Sequence, residues 1–449
     1  MTFGEYFHKL LAERNTNLSK LAAQANIKSK TEIYRLFENK YSYEKIKRLT
    51  EQILSVVMLD DGEKDKLYSL MESCKVKNSV RNAWGILEGL YKGIEIKKDN
   101  NIEKIGRILE RNKNSKIKIF VGSEADINIA LFFDDLLSKN CGCDISIIHI
   151  VNFNKSEEVI ARELFSLIKL MPHEEYKCFE VSKSELKGVI GLFDAPGEYQ
   201  MFTLTKNNEY LQSPLSKELY EYIIKEYSRC EKGLELKDMR DHVTDYAYTI
   251  TNFSPVDTNN AFSFEGVFCF GDIPFDTMYS MLKDANYFGL PPESSYITNI
   301  VSAAKERYEA GRKSDAKRIY ILSEERMKNL FLTGKTIDHV DVFRPLTKEE
   351  LEGMVDYYLN NDRFQYRFFK NGYSNRCIET VIAENFGIVM WDASLGYGKK
   401  HFQAIISHPK AMSVFKSFTE YFWDNCTVSD EESRIRLDEL TKKIDKIQL

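Results

Sequence analysis

The run Gly396-Tyr397-Gly398-Lys399-Lys400 combines residue types that bind phosphate, because glycine lets the backbone approach an anion and lysine supplies positive charge. A complete phosphate loop also needs a glycine five residues before its Gly-Lys pair and a serine or threonine after it. This chain has Ala393 and Lys400 there, which favours a glycine-containing hairpin turn. The motifs Gly-x-Ser-x-Gly, His-Glu-x-x-His and Gly-x-Gly-x-x-Gly do not occur either. These absences predict that the chain is not an enzyme and binds no cofactor.

Cysteine spacing predicts neither a metal centre nor a disulfide framework. The eight cysteines are scattered, and only Cys141 and Cys143 lie close together. A zinc site normally needs a second ligand pair at similar spacing, whereas here only His149 lies near. Buried or incidental thiols are favoured, and a redox switch at the cysteine pair is the alternative.

Charge is distributed unevenly along the chain. Residues 1–50 contain ten Lys or Arg and five Asp or Glu, a net charge of +5. The whole chain carries −5, so the residues after position 50 carry −10. A basic head on an acidic body is typical of a nucleic-acid-binding module joined to a second domain.

Amphipathic patterns predict four short helices in the basic head. The first has apolar residues at Phe3, Phe7 and Leu10, the spacing of one helical face. The third turns Ile33, Leu36 and Phe37 inward. Its opposite face carries four residues that can contact nucleic acid: Lys30, Thr31, Tyr34 and Arg35.

The run from Leu18 to Ile27, LSKLAAQANI, resembles the second helix and turn of the Cro/lambda-repressor-like, or Xre-type, helix-turn-helix family. In that family the next helix enters the DNA major groove. The resemblance covers about residues 3–57, and it departs from the family where Asn39 replaces a glycine, although asparagine tolerates the left-handed turn conformation. It implies that DNA is contacted by Ser19, Lys20, Lys28, Ser29, Lys30, Thr31, Tyr34, Arg35 and Lys40.

The rest of the chain predicts an α/β body behind an all-α head. Lys75–Asn82 is polar and reads as a hinge, and the following stripe of Trp84, Leu87 and Tyr91 either docks on the body or forms a linker or dimer helix. The expected domains are 1–74, the helix-turn-helix head; 75–100, hinge and linker helix; 101–230, a first α/β lobe; 231–316, a mainly helical connecting region; and 317–449, a second α/β lobe with a C-terminal helix.

Similar segments recur about 200 residues apart and predict two pseudo-duplicated lobes related by a pseudo-twofold axis. Strand 318–322 is matched to strand 117–121. A short helix and a strand at 339–343 follow strand 318–322. This layout resembles the degenerate phospholipase D-like sensor domains found behind some DNA-binding heads. The catalytic signature of that superfamily is His-x-Lys-x4-Asp, and the chain's one His-x-Lys, at His408, has Phe415 in place of the aspartate. Phosphodiesterase activity of that type is therefore not expected.

Two strand ends are the candidate ligand sites, because ligands of open α/β sheets bind beyond the carboxyl ends of strands. The residues are Gly122, Ser123, Glu124, Ser323 and Glu324, and helix capping by the serines is the competing interpretation. The N-terminus lacks a signal-peptide pattern, and no apolar run approaches the ~20 residues that span a bilayer.

We therefore expect a cytoplasmic, homodimeric, sequence-specific transcription regulator. Its partners would be a double-stranded DNA operator and a small-molecule or protein effector. The alternative is a phage-linked or defence-linked adaptor that uses its helical head for protein contact.

Overall fold

The structure is a computed structural model that divides into two compact units, residues 1–85, called the head, and residues 86–449, called the body. It describes residues 3–38, 41, 43–92, 100–111, 115–123, 125–138, 144–171, 173, 175–181, 186, 188–195, 198–205, 210–228, 233–234, 237–238, 260–266, 275–277, 280, 298, 302, 305–306, 309, 317–334, 345–373, 378–383, 387–392, 402–442 and 444. Among these residues, no helix is long and apolar enough to cross a membrane.

The structure confirms a helical N-terminal unit followed by an α/β body. The helices are α1 Phe3–Glu13, α2 Leu18–Gln24, α3 Lys30–Phe37, α4 Tyr43–Leu54, α5 Asp61–Lys92, α6 Asn100–Arg111, α7 Ile127–Ser138, α8 Glu157–Leu170, α9 Lys217–Ser228, α10 Glu324–Thr333, α11 Lys348–Leu359, α12 Pro409–Cys426 and α13 Asp430–Thr441. The strands are β1 Lys116–Val121, β2 Asp144–Val151, β3 Tyr176–Glu180, β4 Gly188–Ala195, β5 Glu198–Thr205, β6 Tyr210–Leu215, β7 Gly233–Leu234, β8 Lys237–Asp238, β9 Asn260–Gly266, β10 Lys317–Leu322, β11 Phe364–Phe368, β12 Ile378–Ala383, β13 Gly387–Asp392 and β14 Phe402–Ile406.

Helix α5 corrects the predicted hinge. The helix is continuous through 75–82, and the division between the units falls at Gly85 rather than at residue 74. The polar segment contains neither proline nor glycine, so nothing in it ends a helix. The first turns of α5 belong to the head, where Leu67 and Met71 join the core formed by α1 to α4.

The first lobe is built on a mixed sheet with the order β6-β5-β4-β1-β2-β3-β7. Strands β1, β2 and β3 are parallel, and β4, β5 and β6 follow as an antiparallel meander on the other side of β1. Apolar side chains alternate between the two faces. Phe120, Ile148 and Ile150 share one core cluster with Tyr220 of α9, which places α9 on that face.

The sheet of the second lobe has the order β11-β10-β9-β12-β13-β14-β8. Read from its other edge, six of its strands repeat the order of the first sheet. Strands β9 to β14 match β1 to β6 in chain order, in position within the sheet and in parallel or antiparallel sense. The predicted match of 318–322 to 117–121 is wrong by one strand, because β10 occupies the place of β2. Strand β9 also lies inside 231–316, the segment predicted to be a mainly helical connection. The strand predicted at 339–343 lies outside the described residues.

A short strand lies at one edge of each sheet. Strand β7 pairs with β3 in the first lobe, and β8 pairs with β14 in the second. Helix α13 packs beside β11, where Ser433 Oγ accepts a hydrogen bond from Phe368 N at 3.2 Å. The two lobes contact each other through α8 and α12. There the His408 ring lies 5.6 Å from that of Phe153.

Candidate nucleic-acid interface

Helix α3 is positioned by a defined turn after α2. Asn17 caps α2, its side-chain oxygen accepting hydrogen bonds from Ser19 N at 3.0 Å and Lys20 N at 3.1 Å. Asn26 then adopts a φ of 56°, a left-handed conformation that asparagine tolerates better than most residues. This residue reverses the chain, and Ser29 extends it before α3 begins at Lys30.

The inner face of α3 is buried, and α3 contacts α1, α2 and α4. Ile33 and Leu36 are both fully buried in the head core. Gly4 allows the end of α3 to approach α1, since a Cβ at Gly4 would lie 1.7 Å from the carbonyl oxygen of Phe37. Close packing on three sides holds α3 as a rigid element with one free face.

The outer face of α3 carries the residues predicted to contact DNA. Tyr34 is 48% exposed, and Lys30, Thr31 and Arg35 are also exposed. Exposed side chains extend this surface beside α3: Ser19, Lys20 and Lys28. Ser29 is partly buried, and Lys40 lies outside the described residues. The exposed residues of this surface, called here the α3 face, are Ser19, Lys20, Lys28, Lys30, Thr31, Tyr34 and Arg35, and the charged ones among them are all cationic.

Glu32 is the acidic residue in the first turn of α3, and a lysine neutralises it. Lys45 Nζ lies 3.0 Å from Glu32 Oε1. The hydrogen bond from Lys45 outweighs partial burial and lowers the pKa of Glu32. The carboxylate is thus ionised and paired, and it also lies at the helix end where a negative charge is favourable. The α3 face consequently keeps its positive character.

Gly122 and Ser123, the first candidate ligand residues, are tightly packed at the end of β1. Gly122 N donates a hydrogen bond to Gly188 O at 2.7 Å, and a Cβ at Gly122 would lie 2.3 Å from Leu186 O. Ser123 is fully buried, and its hydroxyl has no hydrogen-bond partner among the described residues. Glu124 lies outside the described residues. A bulky residue at Gly122 would disturb the sheet and could not serve as a selective test of ligand binding.

Ser323 and Glu324 occupy structural positions at the start of α10. Ser323 Oγ accepts a hydrogen bond from Arg326 N at 3.4 Å as the N-cap of α10. Glu324 pairs with Arg436 Nη1 at 3.3 Å. Because Ser323 follows β10 and Ser123 follows β1, the two serines do not occupy equivalent places in the two lobes.

Sequence reasoning missed a buried carboxylate near the end of α5. Glu88 accepts hydrogen bonds from the Tyr373 hydroxyl and from Lys92 Nζ, the latter at 2.6 Å. Tyr421 Oη and Cys426 Sγ complete the cluster at 3.4 and 3.7 Å. Burial raises the pKa of Glu88, but the hydrogen bonds from Lys92 and Tyr373 outweigh it, so the pKa is lowered. The sequence signal for this buried carboxylate is the position of Glu88 directly beside Leu87, a residue of the predicted apolar stripe.

A second buried polar chain joins β2, α8 and β3 in the first lobe. His149 Nε2 lies 2.9 Å from Glu163 Oε2, and His149 Nδ1 lies 2.7 Å from the Tyr176 hydroxyl. Burial raises the pKa of Tyr176, which keeps the hydroxyl protonated and able to donate to His149. The sequence points to His149 only as a neighbour of Cys141 and Cys143. These two cysteines and the glycine-lysine run at 396–400 lie outside the described residues. Within the described part of the chain, no cluster of side chains could hold a metal ion.

No family model and no curated protein matches the sequence. Among solved structures, the chain is similar to a crystal structure of polyphosphate kinase from Porphyromonas gingivalis, with 8% sequence identity and a TM-score of 0.24. The match covers 74% of this chain and 47% of that chain, so this chain spans about half its length.

The prediction that the chain is not an enzyme is not retained: it rested only on the absence of sequence motifs, which does not exclude an activity, and the matched structure is that of an enzyme. At this TM-score the likeness carries no argument for a particular activity.

Proposed function

We propose that the chain is a sequence-specific DNA-binding transcription regulator of the Xre type, in which α3 enters the major groove. The observation that carries the proposal is the α3 face. A groove-reading helix needs a buried inner side that fixes it and an exposed outer side that can donate hydrogen bonds to bases. Lys30, Thr31 and Arg35 meet the second requirement, and Ile33 and Leu36 meet the first.

The exposed cations around α3 suit two kinds of DNA contact, one with phosphates and one with bases. Lys20 and Lys28 are exposed beside the outer side of α3 and suit the phosphate backbone, where contacts position the protein but carry no sequence information. Arg35 is exposed in the last turn of α3, and arginine can donate two hydrogen bonds to guanine. Binding should therefore weaken as salt concentration rises.

The body would dimerise and respond to a small ligand or a protein partner in the cytoplasm. Two heads held by a symmetric dimer would read palindromic half-sites about one helical turn apart. The repeated order of six strands supports an origin of the body as two duplicated α/β lobes.

Recovery of genomic DNA fragments by the purified full-length chain tests the proposal. A symmetric sequence motif among the bound fragments is the expected result. In titrations at fixed salt, Arg35→Ala should weaken binding to that motif by about 1–3 kcal/mol, or about 5- to 150-fold. Lys9→Ala is the matched control, because Lys9 is an exposed cation of α1 and its loss should change affinity little.

Two results would contradict the proposal. The first is recovery of no enriched motif together with binding that does not depend on salt, which would favour the adaptor function. The second is equal affinity of Arg35→Ala and wild type for the motif, which would remove α3 as the reading helix.

A further inference from the structure

Helices α9 and α12 occupy the same place in the two lobes, because each follows the last strand of its antiparallel meander. Aligned at their first residues, the helices place Leu219 of α9 at the position of Ala411 of α12, and Tyr222 at that of Val414. Ala411 and Val414 are buried. Leu219 and Tyr222 are 46% and 59% exposed. The same flank of the same helix is therefore covered in one lobe and open in the other.

Helix α12 is packed against both an element of the first lobe and α5. Helix α8 of the first lobe packs on it, and the Tyr91 ring of α5 lies 6.2 Å from the ring of Phe418 and 5.0 Å from that of Phe422. The first lobe also carries an exposed apolar side chain on β6. Leu211 is 64% exposed, and by strand alternation it lies on the same face of the sheet as Leu215, which packs on the core beneath α9. Leu211, Leu219 and Tyr222 are called here the α9 patch.

Two opposite charges on α9 are complementary between copies of the helix. Glu218 in the first turn and Lys225 near the end of the helix are both exposed, and their separation of two helical turns places them on one side of α9. When two copies of α9 pair antiparallel about a two-fold axis at the middle of the helix, Glu218 of one copy faces Lys225 of the other. A surface that is complementary to itself is what a two-fold interface requires.

We propose that the α9 patch is the interface through which two copies of this chain form a symmetric dimer. Tyr222 and Leu219 supply the apolar part of this interface, and Glu218 and Lys225 supply its charged contacts. The inference rests on the proposed function in one respect: a palindromic operator requires a second copy as the partner. The dimer itself is measured without DNA, so the two proposals can fail separately.

Sedimentation equilibrium of the full-length chain over a range of concentrations tests the interface. The wild type should dimerise, and Tyr222→Asp should raise the dimer dissociation constant by at least about 30-fold, because it places a charge among desolvated apolar groups. Ile435→Asp is the matched control. Ile435 is 52% exposed on α13 and should leave dimerisation unchanged.

Charge reversal separates this interface from a general loss of apolar surface. Glu218→Lys and Lys225→Glu should each weaken the dimer by about 10-fold, since every reversal creates two like-charge contacts per dimer. The double variant should regain wild-type affinity. A monomeric wild type, a dimer indifferent to Tyr222→Asp, or a double variant as weak as the singles would overturn the proposal. A wild-type dimer that responds as described but binds no DNA would support it and would refute only the proposed function.

Discussion

Replacement of Glu88 by glutamine should loosen the end of α5 from the second lobe. The substitution keeps the shape and one acceptor oxygen of the side chain but removes its charge. The Glu88 side chain is 11% exposed, so its hydrogen bonds are largely shielded from water. Lys92 is 48% exposed, and its pairing with Glu88 is therefore screened by solvent.

The expected cost follows from these contacts. Hydrogen bonds to charged groups contribute about 1.5–3 kcal/mol each, against about 0.5–1.5 kcal/mol for neutral ones. Neutralising the acceptor of the Tyr373 bond, and losing about 0.5 kcal/mol from the screened lysine pair, gives about 1.5–2 kcal/mol of lost stability at pH 7. Urea unfolding followed by tryptophan fluorescence measures this difference. Glu352→Gln is the control, because Glu352 forms a surface pair with Lys348 at 3.8 Å and its loss should cost under about 0.5 kcal/mol.

The pH dependence of the stability difference between the wild type and Glu88→Gln tests whether the charge of Glu88 is responsible. The folded protein lowers the pKa of Glu88, so the stabilisation is present above the unfolded pKa of about 4.3 and is lost as pH falls through the folded value. The wild-type advantage over Glu88→Gln should therefore shrink on acidification below about pH 4.3. Equal stability of the two proteins at pH 7, or a difference that does not change with acidification, would show that the charge of Glu88 contributes nothing.

Two further predictions concern packing and thiol chemistry. Gly4→Ala should destabilise the head by about 1–3 kcal/mol, because its Cβ meets the backbone of Phe37. Gly353→Ala, whose Cβ meets nothing within 4 Å, should stabilise α11 by about 0.5–1 kcal/mol. Hydrogen exchange of α3 and α11 peptides measures both effects, and protection equal to that of the wild type in both variants would contradict the prediction. Burial raises the pKa of Cys426 to about 11, so alkylation of this thiol at pH 8 should be slow until urea unfolds the body. Stability should fall between about pH 8.5 and 11, because the thiol ionises first in the unfolded protein. Rapid labelling of Cys426 in the folded protein, detected by peptide mass spectrometry, would refute the prediction.

The head could be predicted from sequence because its information is local. Apolar residues spaced three and four apart specify each helix and its inner side, so Ile33 and Leu36 were assigned inward correctly. The predicted hinge is wrong because a polar composition alone does not end a helix. Helix formation depends on the absence of proline and glycine as much as on apolar residues, and a polar helix can span two compact units.

The sheets of the body could not be predicted to the same depth, because strand order is a long-range property. Strand β1 lies between β2 and β4, and the β4 partner of Lys116 is Asp194, 78 positions later in the sequence. The repeat was placed one strand out of step for the same reason. A local Ser-Glu pair follows both β1 and β10, but the place of β10 in its sheet is fixed by its parallel neighbours β9 and β11.

The contacts of α5 bear on how a body of this kind could regulate a DNA-binding head. Its first turns contribute Leu67 and Met71 to the head core, and its last turns place Tyr91 among the rings of α12. Helix α12 in turn packs on α8 of the first lobe. A ligand can change DNA affinity only by binding two arrangements of the protein unequally. Under the proposed function, a rearrangement of α8 against α12 would displace the packing partner of α5, which makes the end of α5 the element that both lobes can bias.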